Sequence, residues 1–332
     1  MTDVETERRR LSEIFDVAPS RVLYALCALG VPDHVPAEGA TLGELAMALG
    51  VEPARLARLI RAAETLDVVR IDPSQTVCLT DAGMLLRSDH PVSLSAEFAD
   101  NELFMGWGSF AQSVTGEGVS YELIYNKSIF EKIGDDSQAL KIFHEHMRMR
   151  AMEVYRPLLP YLLKRCSADI VDLAGGTGGL AELLLDSRDG LRVTLVDLPE
   201  VVALISDDTR ARYGERLVCV PGDIRSAVPE GFGTYVLGSV LHDWPDGRAV
   251  DILRQCARGA RSGGEVILLE RVLDETGPDR RRLGDMWMMA MTGGRERTRA
   301  DWVHVALEAG LSLLEIHHVD GELSAVVLGM PS

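Results

Sequence analysis

The run Ile170-Val171-Asp172-Leu173-Ala174-Gly175-Gly176-Thr177-Gly178-Gly179-Leu180 reads as a strand, a glycine turn and the start of a helix. Apolar residues lead into glycines that let a backbone approach a ligand closely. The helix that follows offers unpaired N–H groups beside it. A second buried strand, Arg192-Val193-Thr194-Leu195-Val196-Asp197, carries a carboxylate at its C-terminal tip, where it can accept hydrogen bonds from a ribose. Loop and acid together point to a nucleotide-type cofactor. The loop alone also contains Gly176-Thr177-Gly178-Gly179-Leu180-Ala181, a G-x-G-x-x-A match, so it does not choose between NAD and S-adenosylmethionine.

From Asp169 onward, strand and helix patterns alternate. The expected strands are 169–174, 192–197, 217–222, 234–241, 264–271, 312–319 and 323–330. Alternation of this kind builds an α/β, doubly wound, mostly parallel seven-stranded sheet with right-handed crossovers. Only the polar turn Asp320-Gly321-Glu322 separates the last two strands, which predicts an antiparallel hairpin at the sheet edge.

Upstream the pattern is helical. Apolar spacing over 11–30 predicts one early, largely buried helix. Thr41-Leu42-Gly43-Glu44 is a capping box, Gly50 suits a helix end, and Pro53 opens the next helix. Residues 68–79 around Asp72-Pro73-Ser74 resemble a hairpin, so the outline is helix, turn, helix, wing. Arg55, Arg58 and Arg61 share one face of the second helix, as on a DNA-reading helix. Residues 89–160 are mostly helical, a connector or substrate lid, and His144 and His146 there are expected at the surface. The resulting division is 1–100, 101–160 and 161–332.

Composition narrows the partners. The 332-residue chain has a formal net charge of −17, which repels phosphate backbones and anionic lipid, so neither nucleic acid nor membrane is expected as a partner. Five scattered cysteines without C-x-x-C spacing argue against disulfides or a zinc site and fit buried thiols in the cytoplasm. No metal is expected.

Ligands of open parallel sheets sit over the C-terminal strand ends. After the third strand come Asp223 and Ile224, suited to an adenine amino group and ring face. The fourth is followed by Leu241-His242-Asp243-Trp244-Pro245, with Pro245 in the first turn of a helix, so His242 stands on the turn beside the cofactor where a base would act. At the tip of the fifth, Glu270 is close enough to orient an imidazole.

These motifs, with Gly293-Gly294-Arg295-Glu296-Arg297-Thr298, resemble the S-adenosylmethionine-dependent small-molecule O-methyltransferases over nearly the whole chain. The resemblance implies a class I methyltransferase-type sheet and an N-terminal winged-helix-like domain that forms a homodimer. It implies S-adenosyl-L-methionine bound by Ala174, Gly175, Gly176, Asp197, Leu198, Asp223, Ile224, Ser239 and Asp243. His242 would be the general base, held by Glu270 and Glu296. Met147, Trp244, Met288 and Met291 would line a pocket for a small hydroxylated aromatic acceptor. Asp285 matches a family aspartate with no assigned role. The chain departs from the family at Ala174, a usual glycine, where binding is expected to survive if φ stays negative. Gly238 and Trp287 are further departures, at a plant lysine and a bacterial arginine.

Three other readings compete. A short-chain dehydrogenase needs Tyr-x-x-x-Lys, and the residues four before Lys127, Lys132, Lys141 and Lys164 are Leu123, Ser128, Ser137 and Pro160. A ligand-sensing winged-helix regulator would use the arginine face. A family member with non-methylating chemistry on a polyketide is disfavoured by the intact His242.

Overall fold

The computed structural model describes residues 3–90, 93–95 and 99–330. One compact unit runs to Phe104 and a second begins at Met105.

In the first unit, α1 (Asp3–Phe15) and α2 (Ala18–Ala28) replace the single helix expected over 11–30. The chain breaks because Asp16 accepts the backbone N–H of Ala18 and a proline opens α2. The first helix is not buried within its own chain. Leu11, Ile14 and Phe15 are 58%, 70% and 86% exposed. Strand β1 (Ala40–Thr41) leads into α3 (Leu42–Leu49), whose Thr41–Glu44 capping box and left-handed Gly50 fix its two ends. α4 (Pro53–Thr65) follows, and β2 (Val69–Ile71) and β3 (Thr76–Leu79) form the wing, with β1 on the other side of β3. Arg55, Arg58 and Arg61 are exposed, and Arg55 pairs with Glu52.

The second unit is built on β4 (Asp169–Leu173), β5 (Arg192–Asp197), β6 (Leu217–Pro221), β7 (Phe232–Gly238) and β8 (Ala260–Glu270). The short β9 (Val272–Leu273) and β10 (Arg297–Thr298) pair separately, while β11 (Ser312–His318) and β12 (Ser324–Gly329) complete the main sheet. Its order is β11-β12-β8-β7-β4-β5-β6, parallel except that β12 runs antiparallel to both neighbours. Apolar clusters cover both faces.

Burial decides this strand set. Ile170, Val171 and Leu173 are all 0% exposed, and each contributes about 1.5–3 kcal/mol. Together they outweigh the cost of burying Asp172, 1% exposed, in the same strand. The fourth strand ends at Gly238 rather than 241, because Ser239 takes the left-handed conformation with φ +53°. Three of the five cysteines are buried, Cys78 and Cys219 are half-buried, and all five are free thiols.

Candidate functional site

Three strand tips meet at the glycine loop. β4 ends at Leu173, and Ala174, Gly176 and Gly178 all have positive φ, of +52°, +60° and +100°. The condition attached to Ala174, that its φ stay negative, is therefore not met. The turn needs a left-handed residue there whatever its side chain, and alanine carries the strain. Gly178 caps α5 (Gly179–Ser187). From β5, Asp197 accepts the N–H of Gly176 on Oδ2 and of Leu198 on Oδ1, both at 2.7 Å, and its carbonyl accepts Gly222 N–H beyond β6. Burial raises the Asp197 carboxyl against these two donors. At Gly175 a Cβ would lie 2.7 Å from Asp172 Oδ2, an oxygen with no hydrogen-bond partner among the described residues. Burial and the nearby Asp197 push Asp172 up to about 7. Side-chain-free backbone beside a ribose-type acceptor is what an adenosyl cofactor with an amino-acid tail requires, so the residues fit one.

His144 and His146, both expected at the surface, are both half-buried. His144 lies on α6 (Ser137–Val154), its carbonyl accepts the Thr177 hydroxyl, and burial lowers its imidazole. Asp223 is already held by Arg225, whose guanidinium bonds both oxygens at 2.7–3.0 Å and lies 5.7 Å from the Trp244 ring. Ile224 beside it is buried.

The second half of the site follows β7. Tyr155 presses its hydroxyl against Gly238, where a Cβ would come within 2.6 Å, and bonds Ser239. His242 stands in the single 3-10 turn Leu241–Asp243, and Pro245 caps α7 (Asp246–Gly259) one residue ahead of the helix rather than inside it. The imidazole Nδ1 lies 3.4 Å from both Glu270 Oε2 and Glu296 Oε1, while Nε2 is 3.9 Å from Asp243 Oδ2. Glu270 turns its other oxygen to the N–H groups of Val240 and Leu241. Burial pulls the imidazole down, but Glu270, Asp243 and Glu296 more than offset it and set His242 at about 10. Burial raises Asp243 to about 6.

This turn is clamped from behind. Arg295 N–H donates to the His242 carbonyl, and a Cβ on Gly294 would fall 1.9 Å from the same oxygen, so Gly294 is a packing requirement. Arg297, 0% exposed, donates to the carbonyls of Leu241 and Trp244 and to Asp246. Asp285 accepts the N–H of Glu296 at 2.8 Å, which gives that aspartate a structural task. It sits on α8 (Arg281–Met291), whose Met288 and Met291 are buried, Met291 with its sulfur against Gly106. Trp287 lies 5.9 Å from Trp107, and Met147 is half-buried on α6. Sequence reasoning passed over Tyr155, Arg271 and Arg297 as individual residues. Only Arg297 left a trace, as part of the Gly293–Thr298 motif.

This sheet order, with the glycine loop after its central strand and an acid after the next, defines a class I methyltransferase. The O-methyltransferase domain family matches residues 107–312, and the O-methyltransferase dimerisation domain matches 12–88. The chain belongs to the S-adenosyl-L-methionine-dependent small-molecule O-methyltransferases. It is 31% identical over 316 residues, 93% of this chain and 94% of the relative, to 2,7-dihydroxy-5-methyl-1-naphthoate 7-O-methyltransferase of Streptomyces carzinostaticus. It is 29% identical, covering 94% and 92%, to 8-amino-8-demethylriboflavin N,N-dimethyltransferase of Streptomyces davaonensis. Among solved structures, an O-methyltransferase from neocarzinostatin biosynthesis in complex with S-adenosyl-L-homocysteine and 1,4-dihydroxy-2-naphthoic acid superposes with a TM-score of 0.84. The two are 29% identical, with 97% of this chain and 98% of that one covered. The cofactor is S-adenosyl-L-methionine.

Proposed function

We propose that this enzyme methylates a phenolic hydroxyl of a small, flat aromatic secondary metabolite, with His242 as general base and Glu270 and Glu296 holding its ring. The observation that carries the reading is the imidazole whose Nδ1 faces two buried carboxylates, leaving Nε2 to accept a proton. A phenol near pKa 10 is a poor nucleophile at neutral pH, and the carboxylates that raise His242 make its neutral form, once the imidazolium has released its proton, a stronger acceptor than an ordinary histidine. When bound, S-adenosyl-L-methionine supplies an activated methyl group on a sulfonium, whose positive charge also disfavours the imidazolium.

His242 Nε2 would take the proton of the acceptor hydroxyl, leaving its oxygen free to accept the methyl group that the bound cofactor would supply. The glycine loop and Asp197 would hold the methionine and ribose ends, with Leu198, Asp223 and Ile224 toward adenine and Ser239 and Asp243 near the reacting end. Met147, Trp244, Met288 and Met291 would shape the acceptor pocket, with naphthoate-type relatives supporting a bicyclic aromatic acceptor. Metal ligation by His242, Glu270 and Glu296 is disfavoured by the Arg271 guanidinium 3.2 Å from Glu296, which repels a cation.

A homodimer is supported by the dimerisation-domain match and by α1, whose Leu11, Ile14 and Phe15 need a cover their own chain does not provide. Among the described residues no helix is long and apolar enough to cross a membrane, and the free cysteines fit the cytoplasm. Calorimetry with S-adenosyl-L-homocysteine and NADH, followed by mass analysis of hydroxynaphthoic acids incubated with S-adenosyl-L-methionine, tests the reading. Micromolar binding of the first ligand alone and the gain of one methyl group are expected. No binding of S-adenosyl-L-homocysteine would bring the winged-helix regulator forward.

A further inference from the structure

Glu270 and Glu296 are both 0% exposed and both 3.4 Å from His242 Nδ1, yet they are not equivalent. Burial raises Glu270, although His242 beside it opposes the rise and Arg297 is also near. At Glu296 burial is overcome by His242 together with Arg271, and the carboxyl is lowered. The cation in direct contact with Glu296 is Arg271. Arg271 follows β8 directly, places Nη1 3.2 Å from Glu296 Oε1 and Nη2 2.5 Å from Glu322 Oε2, and is 19% exposed. Glu322, 57% exposed, lies in the turn between β11 and β12 and also meets Arg150 at 3.3 Å. A row of alternating charge therefore runs from the surface to the imidazole: Arg150, Glu322, Arg271, Glu296, His242.

The charge count explains why such a row is needed. One imidazolium facing two buried carboxylates leaves a net negative charge in a medium that solvates it poorly. Arg271 brings the cluster to neutrality. The other charged groups facing it are Asp243 on the histidine's own turn, Arg297 near Glu270, and Asp285 and Arg295 around Glu296. Of these, Arg297 is committed to Asp246 and two backbone carbonyls.

Building on the general-base reading, we propose that Arg271, anchored by Glu322 in the hairpin turn, is a positioning residue that keeps Glu296 ionised beside His242 and sets how readily His242 releases its proton. The cluster titrates as a unit, so the group to follow is the proton that leaves it last. Removing the cation favours the charged imidazole, whereas removing the Glu322 charge frees Arg271 to act more strongly on Glu296.

The test is a histidine-selective NMR titration of the full-length protein saturated with S-adenosyl-L-homocysteine, the His242 signal being assigned by its loss in His242→Asn. Arg271→Met should raise the titration midpoint by about one pH unit, and Arg271→Lys should restore most of it. Glu322→Gln should lower it by a few tenths. Calorimetric affinity for S-adenosyl-L-homocysteine should stay within about twofold in all three. An unmoved midpoint in Arg271→Met overturns the inference, as does an upward shift in Glu322→Gln. The exposed Glu322 variant decides the matter if Arg271→Met does not fold. Full methyl transfer by His242→Ala would instead remove the base assignment while leaving the titration result standing.

Discussion

The strands β4 and β7 lie side by side, and each breaks into the left-handed conformation at a residue other than glycine, Ala174 at +52° and Ser239 at +53°. Beyond that point the two loops are made differently. The glycine loop is defined by missing side chains: backbone N–H groups, two positive-φ glycines and a single external carboxylate, Asp197. The histidine turn is held by buried charge, with Glu270 and Arg297 on its backbone and Glu296 on its ring. One loop is shaped to receive a ligand and the other to hold a proton acceptor still. Damage to the first should appear as lost affinity, and damage to the second as lost stability or lost rate.

The largest effect is expected at the clamp. Arg297→Met strips a fully buried cation from two carbonyls and Asp246, and should cost about 3–5 kcal/mol in urea denaturation. A cost below about 1 kcal/mol would erase the distinction between the loops.

Next comes a pH signature of the β4 strand. Asp172 stands at about 7 in the folded protein against an ordinary 3.8. For a raised carboxyl, the contribution to stability is fully present below about 4 and is lost as pH rises through 7, by up to about 4 kcal/mol. Asp172→Asn should flatten the fall in melting temperature between those values, and an unchanged slope would contradict it.

Asp197→Ala removes the acceptor that links Gly176, Leu198 and the proposed ribose site. It should weaken S-adenosyl-L-homocysteine about 10- to 100-fold by calorimetry while leaving the rate at saturation within severalfold. A lost rate with intact affinity would exchange the roles of the two loops. Smallest is Ala174→Gly, which relieves left-handed strain and should stabilise the protein by about 1 kcal/mol.

Much of the sheet could be read from sequence because its strands are nearly continuous apolar runs buried on both faces. The run 192–197 is observed with the same ends, and most others differ by one to four residues at an end. The largest misplacement at the site, the end of β7, arose where Ser239 turns left-handed, which a polar residue after an apolar run does not announce. The early helix misled for a different reason: its apolar spacing is that of a buried face, but its own chain does not cover it. His242, Glu270 and Glu296 lie far apart in sequence and were brought together by strand-tip logic and family resemblance. The support behind them was not legible. Arg271 and Arg297 look like surface charges until the fold surrounds them, and Tyr155 acts on Gly238 from just past the end of α6, more than 80 residues earlier.

The proposed proton acceptor is His242. Its role is tested most directly by comparing single-turnover methyl transfer to a hydroxynaphthoic acid in wild type and His242→Ala, each saturated with S-adenosyl-L-methionine. Transfer at least 100-fold (about 2.7 kcal/mol) slower, with S-adenosyl-L-homocysteine affinity unchanged, is expected. Transfer at the wild-type rate would contradict it and reduce the two glutamates to structural partners of a buried histidine.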